Sequence, residues 1–332
     1  MTGAVLGIDT SCYTTSCALA SPDGLIISDI RKLLDVPMGE CGLRQSEAVF
    51  SHLRSLPEVL HKAMEDGGNP DIVAVCASKS PLDGPDSYMP VFQAGASFAR
   101  AISASLKAPC FLTSHQRGHF MAAQIGVSCL NGKYLAVHLS GGTTEIVLCE
   151  GESLQTVAGS GDISAGQLLD RVGVLLGFSF PSGPQMEKLA MMGESSGRYA
   201  SSVKNGILHL SGAEAAAFRD VRQKSITDAD IAANVFDVIA RSLIKAIAYA
   251  SKQTGVCNVL VTGGVAASSL LREQLLLRAE KTDCRLCLRF GMQKYSGDSA
   301  AGVALIGAMK YRSMKEDKNG YDTQRERAVP ES

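Results

Sequence analysis

The sequence predicts an α/β protein built from two similar lobes. An apolar strand, a turn rich in glycine and hydroxyl residues and a second apolar strand occur at residues 4–20, and the same plan recurs about 130 residues later at residues 134–148. After each hairpin, helical stretches alternate with further short apolar strands. The 332 residues, of which 45% are hydrophobic and 20% charged, are enough to fill the cores of two domains or lobes. The pattern therefore favours duplication of one lobe.

In chain order, the remaining elements follow from periodicity and from their start and stop signals. Helices are predicted at residues 47–64, 91–106, 167–176, about 228–253 and 300–309, and strands at 72–77 and 258–261. We expect the first lobe to span residues 1–112 and to be completed by about 300–313, and the second lobe to span 113–299. Residues 314–332 are charged and poor in apolar side chains, so they are predicted to form a flexible tail.

Composition narrows the classes of function. The net charge of −1 builds in no general attraction to nucleic acid or to an anionic membrane. Ten scattered cysteines, several inside apolar strands, are typical of a reducing compartment, so a cytoplasmic protein is expected. The pair Cys284 and Cys287 lacks a second pair to complete a zinc knuckle, which favours packing over metal binding. No run of eighteen apolar residues and no signal peptide is found in the sequence, so no membrane partner is expected.

Two histidines, His115 and His119, stand one helical turn apart in Thr113–His119, where hydroxyl residues are typical of a helix start. Side chains four residues apart lie on one helix face, so both imidazoles could bind one cation and leave positions open for a third ligand and a substrate. Gln116 stands where a zinc peptidase has the glutamate that activates water, which disfavours peptide hydrolysis. The alternative is a helix with two polar histidines and no metal.

An acid that could complete this site, Asp298, lies just before the predicted helix 300–309. It could be the third metal ligand, or it could simply cap the helix.

Three turns follow apolar strands and combine glycine with hydroxyl residues: Thr10 with Ser11, Ser140–Thr143, and Gly263 with Gly264. Backbone N–H groups of such turns can bind oxyanions, so together they could surround a nucleotide between the lobes. Each could equally be only a turn. The sequence has neither a Walker motif nor a dinucleotide-binding glycine motif, which disfavours P-loop and Rossmann folds.

Ser164 and Gln167 form a capping-box pattern that starts the helix carrying Asp170. Asp170 could bridge two ribose hydroxyls, or it could be a carboxylate that the helix dipole favours. The rigid turn 180–184 contains Gly183, against which a sugar or base could lie.

In order and spacing, these segments resemble the TsaD family of tRNA threonylcarbamoyladenosine synthase subunits, formerly labelled sialoglycoprotein endopeptidases. The similar segments are Leu6–Cys12, Ser114–His119, Leu139–Gly142, Asp162–Asp170, Leu175–Gly177, Pro181–Pro184, Gly263–Val265 and Ser296–Asp298. They span nearly the whole chain. The resemblance implies the duplicated two-lobe fold of actin, heat-shock chaperone ATPases and sugar kinases, with a cleft between the lobes.

The resemblance also implies the residues of the site. Iron or zinc would be bound by His115, His119 and Asp298. The nucleotide part of the substrate would be contacted by His138, Leu139, Ser140, Gly141, Gly142, Asp170, Gly183 and Ser268.

For function, the resemblance implies transfer of a threonylcarbamoyl group from threonylcarbamoyl-adenylate to the N6 amine of the tRNA adenosine beside the anticodon. The metal would polarise the carbonyl as a Lewis acid, and no protein nucleophile would be needed. The implied partners are tRNA, a TsaB-like protein of the actin fold and a TsaE-like ATPase.

The chain departs from the family pattern at several polar positions. Aspartate replaces glutamate at Asp9, and the other replacements are Gln167 for Glu, Thr143 for His, Ser268 for Asn, Glu214 for Lys and residues 80–86 for a Gly-Pro-Gly loop. These changes motivate an alternative, a non-catalytic scaffold subunit that binds nucleotide and metal in a tRNA-modifying complex. A small-molecule kinase is a third possibility, but it needs a catalytic aspartate, for which Asp9 is the only obvious candidate.

Overall fold

The computed structural model describes residues 3–327 except 12, 36–42, 128–129, 131 and 152. The chain forms two compact units, of which the first combines Met1–Ala122 with Asp298–Ser332 and the second is Ala123–Gly297. Cys12 of the first family-like segment and residues 328–332 of the predicted tail lie outside the described residues.

The described elements are as follows in chain order. Up to the end of the first segment they are β1 (Gly3–Ser11), β2 (Thr14–Ala20), β3 (Ile26–Leu33), α1 (Gln45–Asp66), β4 (Asp71–Ser80), α2 (Pro90–Leu106), β5 (Cys110–Ser114) and α3 (His115–Ala123). The rest are β6 (Tyr134–Leu139), β7 (Thr144–Glu150), β8 (Ser153–Ser160), α4 (Ala165–Leu175), α5 (Gly183–Ala190), β9 (Ser202–Lys204), β10 (Ile207–His209), α6 (Ser211–Gln223), α7 (Asp228–Thr254), β11 (Asn258–Thr262), α8 (Ser269–Ala279), β12 (Cys287–Phe290) and α9 (Ala301–Arg327).

The sheets of the two units share one topology. In the first, with strand order β3-β2-β1-β4-β5, β1 to β3 form an antiparallel meander, while β4 is parallel to β1 and β5 to β4. In the second, with order β12-β11-β6-β7-β8-β10-β9, β6 to β8 form the same meander, while β11 is parallel to β6 and β12 to β11. The predicted duplication is therefore confirmed, and β9 and β10 extend the second copy.

In the first unit, β1 buries both of its faces. Leu6 and Ile8 belong to the apolar cluster that also contains buried residues of α1 and α2, whereas Val5 packs with Ala308 of α9. Gly7 faces α9, because a Cβ atom on it would lie 2.5 Å from the backbone nitrogen of Ala304. The missing side chain lets α9 approach the strand closely.

The core of the second unit is built around α7, which is buried along most of its length. The Thr227 hydroxyl accepts a hydrogen bond from Asp230 N–H at its start, and Gly255 ends it in the left-handed conformation with φ of 72°. The predicted capping box of Ser164 and Gln167 is confirmed at the start of α4.

The boundary between the lobes and the start of the tail differ from the prediction. The predicted lobe boundary at residue 112 precedes α3, whereas the compact units divide after Ala122. Hydrophobic periodicity locates a short helix but does not show which unit it packs against, and here Gly118 of α3 contacts Gly302 of α9. The predicted tail begins as helix, because α9 continues to Arg327. Among the described helices, none is both long and apolar enough to cross a membrane.

Candidate functional site

A polar cluster lies at one edge of the first sheet. Because β1, β4 and β5 run parallel, their carboxyl ends meet there, and they bring together Asp9, Ser78 and His115, the first residue of α3. Helix α9 packs on the same sheet, and Asp298 stands just before its first turn. Four segments that are distant in the sequence thus supply polar side chains to one place.

The three predicted metal ligands lie together in this cluster. His115 Nε2 is 3.0 Å from His119 Nε2, and Asp298 Oδ1 is 3.5 Å and 3.3 Å from these two nitrogens. Ligand atoms that lie about 2.1 Å from one cation are separated by distances of this size. Two imidazoles and a carboxylate suit zinc or ferrous iron. The donor set therefore fits a divalent cation.

Hydrogen bonds orient Asp298 and His115. Ser11 Oγ donates to Asp298 Oδ2 over 2.9 Å, which leaves Oδ1 toward the imidazoles. His115 Nδ1 lies 3.0 Å from Asp9 Oδ1. The backbone N–H of Ala301 bonds instead to the Ser299 hydroxyl, so the carboxylate of Asp298 contacts the histidines and not the helix start. This favours a ligand over a helix cap.

The pKa values of two residues in the cluster are strongly shifted. Burial alone would lower the pKa of His115, but the carboxylates of Asp9 and Asp298 outweigh it and hold this pKa well above its usual range. Burial alone would raise the pKa of Asp298, but hydrogen bonds and positive charge from His115 and His119 hold it well below its usual range. Without a metal, the cluster is therefore a charged network in which a cation can replace a proton.

Glycines set the distance between the helices that carry these ligands. A Cβ atom built on Gly302 of α9 would overlap the carbonyl oxygen of Gly118, and it would lie 2.8 Å from the backbone nitrogen of Ala122. Gly118 stands between the two histidines of α3. The backbones of the two helices are thus in direct contact next to the candidate metal ligands.

In the second unit, three backbone segments pack closely. Ser140 Oγ accepts the Thr143 N–H over 3.0 Å and holds the turn between β6 and β7. A Cβ atom on Gly166 of α4 would overlap the carbonyl oxygen of Ser140, and one on Gly263 would overlap that of Leu139. Gly263 also has φ of +102°, a value that favours glycine. The second and third predicted glycine turns therefore meet at the start of α4.

A cavity of about 370 Å³ lies beside these turns, within the second unit. Four of the predicted substrate residues line it, namely Gly141, Asp170, Gly183 and Ser268. The other four predicted substrate residues do not.

Those four have other surroundings. Leu139 is a core residue, and Ser140 holds its own turn. The largely buried His138 lies with Nδ1 3.5 Å from Glu145 Oε1 on the neighbouring strand. Gly142 lies in the turn without lining the cavity. For all eight residues, contact with a substrate remains a prediction.

A backbone hydrogen bond fixes the side chain of Asp170. Its Oδ1 accepts the backbone N–H of Ser182 over 2.8 Å, which ties α4 to the turn before α5. It lies in the second turn of α4, beyond the first turn where the helix dipole would favour an acid. Ser268 caps α8 by accepting the N–H of Leu271 over 3.1 Å.

Sequence reasoning missed several residues that line the cavity, among them Glu187, Phe236 and Gln293. Glu187 follows Gly183 by four residues on α5, and this spacing could have identified it. Its Oε1 accepts hydrogen bonds from Ser269 Oγ and from the backbone N–H of Leu270. Phe236 gave no signal, because it occupies one apolar position among many on α7. Among the described residues of the cavity wall, none is Lys or Arg, so it suits an uncharged group with hydroxyls better than a polyphosphate.

Three positions singled out in the sequence have structural partners. Glu214 pairs with Arg171 over 3.0 Å. Asp83 of the 80–86 loop pairs with Arg117 of α3 over 2.5 Å. Thr10 is fully buried and bonds to the carbonyl oxygen of Val91, so the expectation that it contacts a nucleotide is wrong.

The chain matches a known family over most of its length. The family model described as TsaD, tRNA N6-adenosine threonylcarbamoyltransferase, matches residues 40–305. The chain belongs to the TsaD family. A relative of that name from Sulfurihydrogenibium sp. (strain YO3AOP1) is 30% identical over 318 residues, covering 93% of this chain and 90% of the relative. Another from Thermosipho africanus (strain TCF52B) is 29% identical, covering 93% of this chain and 94% of the relative.

Solved structures support the fold of this TsaD family member. HypF from T. kodakarensis aligns with a TM-score of 0.64 at 12% identity, over 94% of this chain and 48% of HypF. A ROK family glucokinase from Streptomyces griseus aligns with a TM-score of 0.55 at 12% identity, over 92% of this chain and 99% of the kinase. At these identities the likeness concerns the fold alone. The chain therefore has the duplicated α/β fold of actin-like ATPases and sugar kinases, as predicted.

Proposed function

We propose that this chain is a metal-dependent transferase that moves a threonylcarbamoyl group from threonylcarbamoyl-adenylate to the N6 amine of the tRNA adenosine beside the anticodon. The observation that carries the proposal is the triangle of His115, His119 and Asp298, found in a member of a family whose relatives bear the name of this activity. The amine forms a bond to the carbamoyl carbon, the bond from that carbon to the adenylate oxygen breaks, AMP leaves and the amine loses one proton.

The chain's residues would divide this work between two places. His115, His119 and Asp298 would hold iron or zinc, which when bound supplies a Lewis acid for a carbonyl oxygen. Asp170 and Glu187 would accept hydrogen bonds from the hydroxyls of the nucleoside, in a cavity whose described wall contains no cation. None of the polar residues that differ from the family pattern is one of the three candidate ligands, and Asp9, which contacts His115, is still an acid. This supports an unchanged metal-dependent reaction.

A reconstituted reaction tests the proposal. The purified chain, with and without Fe²⁺ or Zn²⁺, would be incubated with threonylcarbamoyl-adenylate and unmodified tRNA, in the presence and absence of TsaB-like and TsaE-like partners. Mass spectrometry of the digested tRNA should detect threonylcarbamoyladenosine only with metal, and we expect the partners to increase it.

Two other outcomes would contradict the proposal. A metal-loaded chain that stays inactive with both partners, while still binding an adenylate analogue, would favour the scaffold subunit. The changed Glu214 and the 80–86 loop motivate that alternative. Phosphorylation of a sugar by ATP would favour the kinase.

A further inference from the structure

Asp9 is a buried acid that the proposed function leaves unexplained. It lies at the end of β1, directly after the apolar residues that fill both faces of this strand, and its side chain has no exposed surface. A buried carboxylate is costly unless hydrogen bonds and an opposite charge compensate for it.

Its carboxylate contacts one candidate metal ligand. Asp9 Oδ1 accepts a short hydrogen bond from Ser78 Oγ and lies 3.0 Å from His115 Nδ1. Within the described part of the chain, Asp9 forms an ion pair with His115 alone, and its Oδ2 is buried without a hydrogen-bond partner. No Lys or Arg among these residues offsets the charge, so the carboxylate depends on His115 and on what His115 binds.

The direction of the hydrogen bond decides what His115 presents on its other side. Oδ1 of Asp9 already accepts from Ser78 and lies 3.0 Å from His115 Nδ1, so a hydrogen bond between the latter two atoms requires the proton on Nδ1. In the neutral form of the ring, which is the form that can bind a metal, the lone pair is then on Nε2, the atom that lies 3.0 Å from His119 Nε2 and 3.5 Å from Asp298 Oδ1. This is the tautomer that binds a metal through Nε2, and a carboxylate behind it increases the basicity of the ligand.

We propose that Asp9 is a positioning residue that fixes the tautomer and orientation of His115 as a metal ligand, with Ser78 holding the carboxylate. This role rests on the metal site of the proposed function. It also explains why an acid whose ion pair is formed with a candidate metal ligand lies inside the first unit.

Cobalt binding tests this role without relying on activity. The full-length metal-free chain would be titrated with Co²⁺, and the dissociation constant and the visible d–d spectrum measured. Asp9→Asn, which keeps the shape and removes the charge, should weaken binding about 10-fold, and Asp9→Ala about 100-fold with an altered spectrum. Ser78→Ala should also weaken Co²⁺ binding, but by a smaller factor. This variant tests the role if the Asp9 variants do not fold.

The matched control is Ser16→Ala. Ser16 is also fully buried, lies opposite Asp9 on β2 and donates its hydroxyl to the backbone oxygen of Asp9 over 3.2 Å. Its loss removes a buried hydrogen bond to the same residue but leaves the carboxylate untouched, so Co²⁺ affinity should not change.

Asp9→Asn with wild-type affinity and spectrum would overturn the role, as would equal losses in the two serine variants. A wild-type chain that binds no Co²⁺ would overturn the metal site and this role with it. Tight Co²⁺ binding without any transfer activity would leave the role of Asp9 intact and count against the proposed function.

Discussion

The β1–β2 hairpin and the β6–β7 hairpin are built alike and carry different chemistry. Each connects the first two strands of an antiparallel meander, and a serine, Ser11 or Ser140, stands where the first strand ends. Ser11 donates its hydroxyl to Asp298, a candidate metal ligand from the far end of the chain. Ser140 accepts from Thr143 within its own turn. Serines at equivalent positions thus have different roles: Ser11 orients a charged candidate ligand, and Ser140 holds the backbone of its own turn.

The residue two positions before each serine also differs between the units, in its side chain and in its contacts. In the first unit it is Asp9, whose carboxylate contacts His115. In the second it is His138, opposite Glu145 on the neighbouring strand. The duplicated topology supplies two equivalent sheet edges, and the side chains placed there decide that one suits a cation while the other borders a cavity.

The largest expected effect comes from removing metal ligands. His115→Ala and Asp298→Ala should each lower bound metal below one equivalent and abolish transfer, because two donors do not hold the cation. Elemental analysis and the tRNA assay measure this. The affinity of the second unit for an adenylate analogue should stay unchanged, which separates the two regions. His61→Ala is the control, since this histidine of α1 has 73% of its side chain exposed. Unchanged metal content in both variants would refute the site.

Asp170→Ala should weaken binding of an adenylate analogue and leave metal binding unchanged. It removes the acceptor proposed for the ribose hydroxyls and should weaken the binding of an adenylate analogue by about 2 kcal/mol, or roughly 30-fold, while the metal content stays at the wild-type value. Isothermal titration calorimetry checks the affinity. Because Asp170 also accepts the Ser182 N–H, thermal unfolding should be measured on the same variant. An unchanged dissociation constant would place the nucleotide elsewhere.

Asp220 should make the second unit sensitive to acid. Hydrogen bonds from Arg198, Ser225 and Tyr199 lower the pKa of Asp220 to about 2. Since the pKa is lower in the folded state, the stabilisation is complete above about pH 4 and is lost as the pH falls toward 2. Asp220→Asn should lower the free energy of unfolding at pH 7 by about 2 kcal/mol, and the difference should shrink below pH 4.

Denaturant unfolding at several pH values measures this difference. Asp71→Asn, at the exposed start of β4, should change little and serves as the control. A difference between Asp220→Asn and wild type that does not depend on pH would contradict the assigned pKa.

The smallest effect is expected at the Arg171–Glu214 pair, where the chain has an acid in place of the lysine of the family pattern. The Arg171 side chain is 49% exposed, so solvent screens the pair. A double-mutant cycle with Arg171→Ala and Glu214→Ala should give a coupling below about 1 kcal/mol that decreases with salt. Urea unfolding at two salt concentrations tests it. A coupling of several kcal/mol would instead make this replacement a structural requirement of the second unit.

Local signals predicted much of this molecule. Alternating apolar residues located both hairpins, and the spacing of His115 and His119 placed them on one face of a helix that does begin at His115. The capping box at Ser164 was equally readable, because its two hydrogen bonds involve residues three apart. Asp298 was identified from resemblance and from its place before a helix.

Contacts between distant segments were not readable. Asp9 meets Ser78 and His115 only because β4 lies parallel to β1 and β5 to β4, and periodicity does not determine strand order. The expectation for Thr10 was wrong because the sequence does not show which way a hydroxyl side chain near the end of a strand points. Here it bonds to the backbone of α2 and does not face a ligand. Glu187 was missed because its role depends on the cavity that α5 and α8 line together.

The contact of Gly302 with Gly118 leaves no room for even a methyl group between the two helices that bear the candidate ligands. Main-chain contact therefore sets how closely α3, which carries two of the candidate ligands, and α9, which follows the third, can approach. A side chain at position 302 would push these two helices apart and so change the spacing of the candidate ligands without replacing any of them.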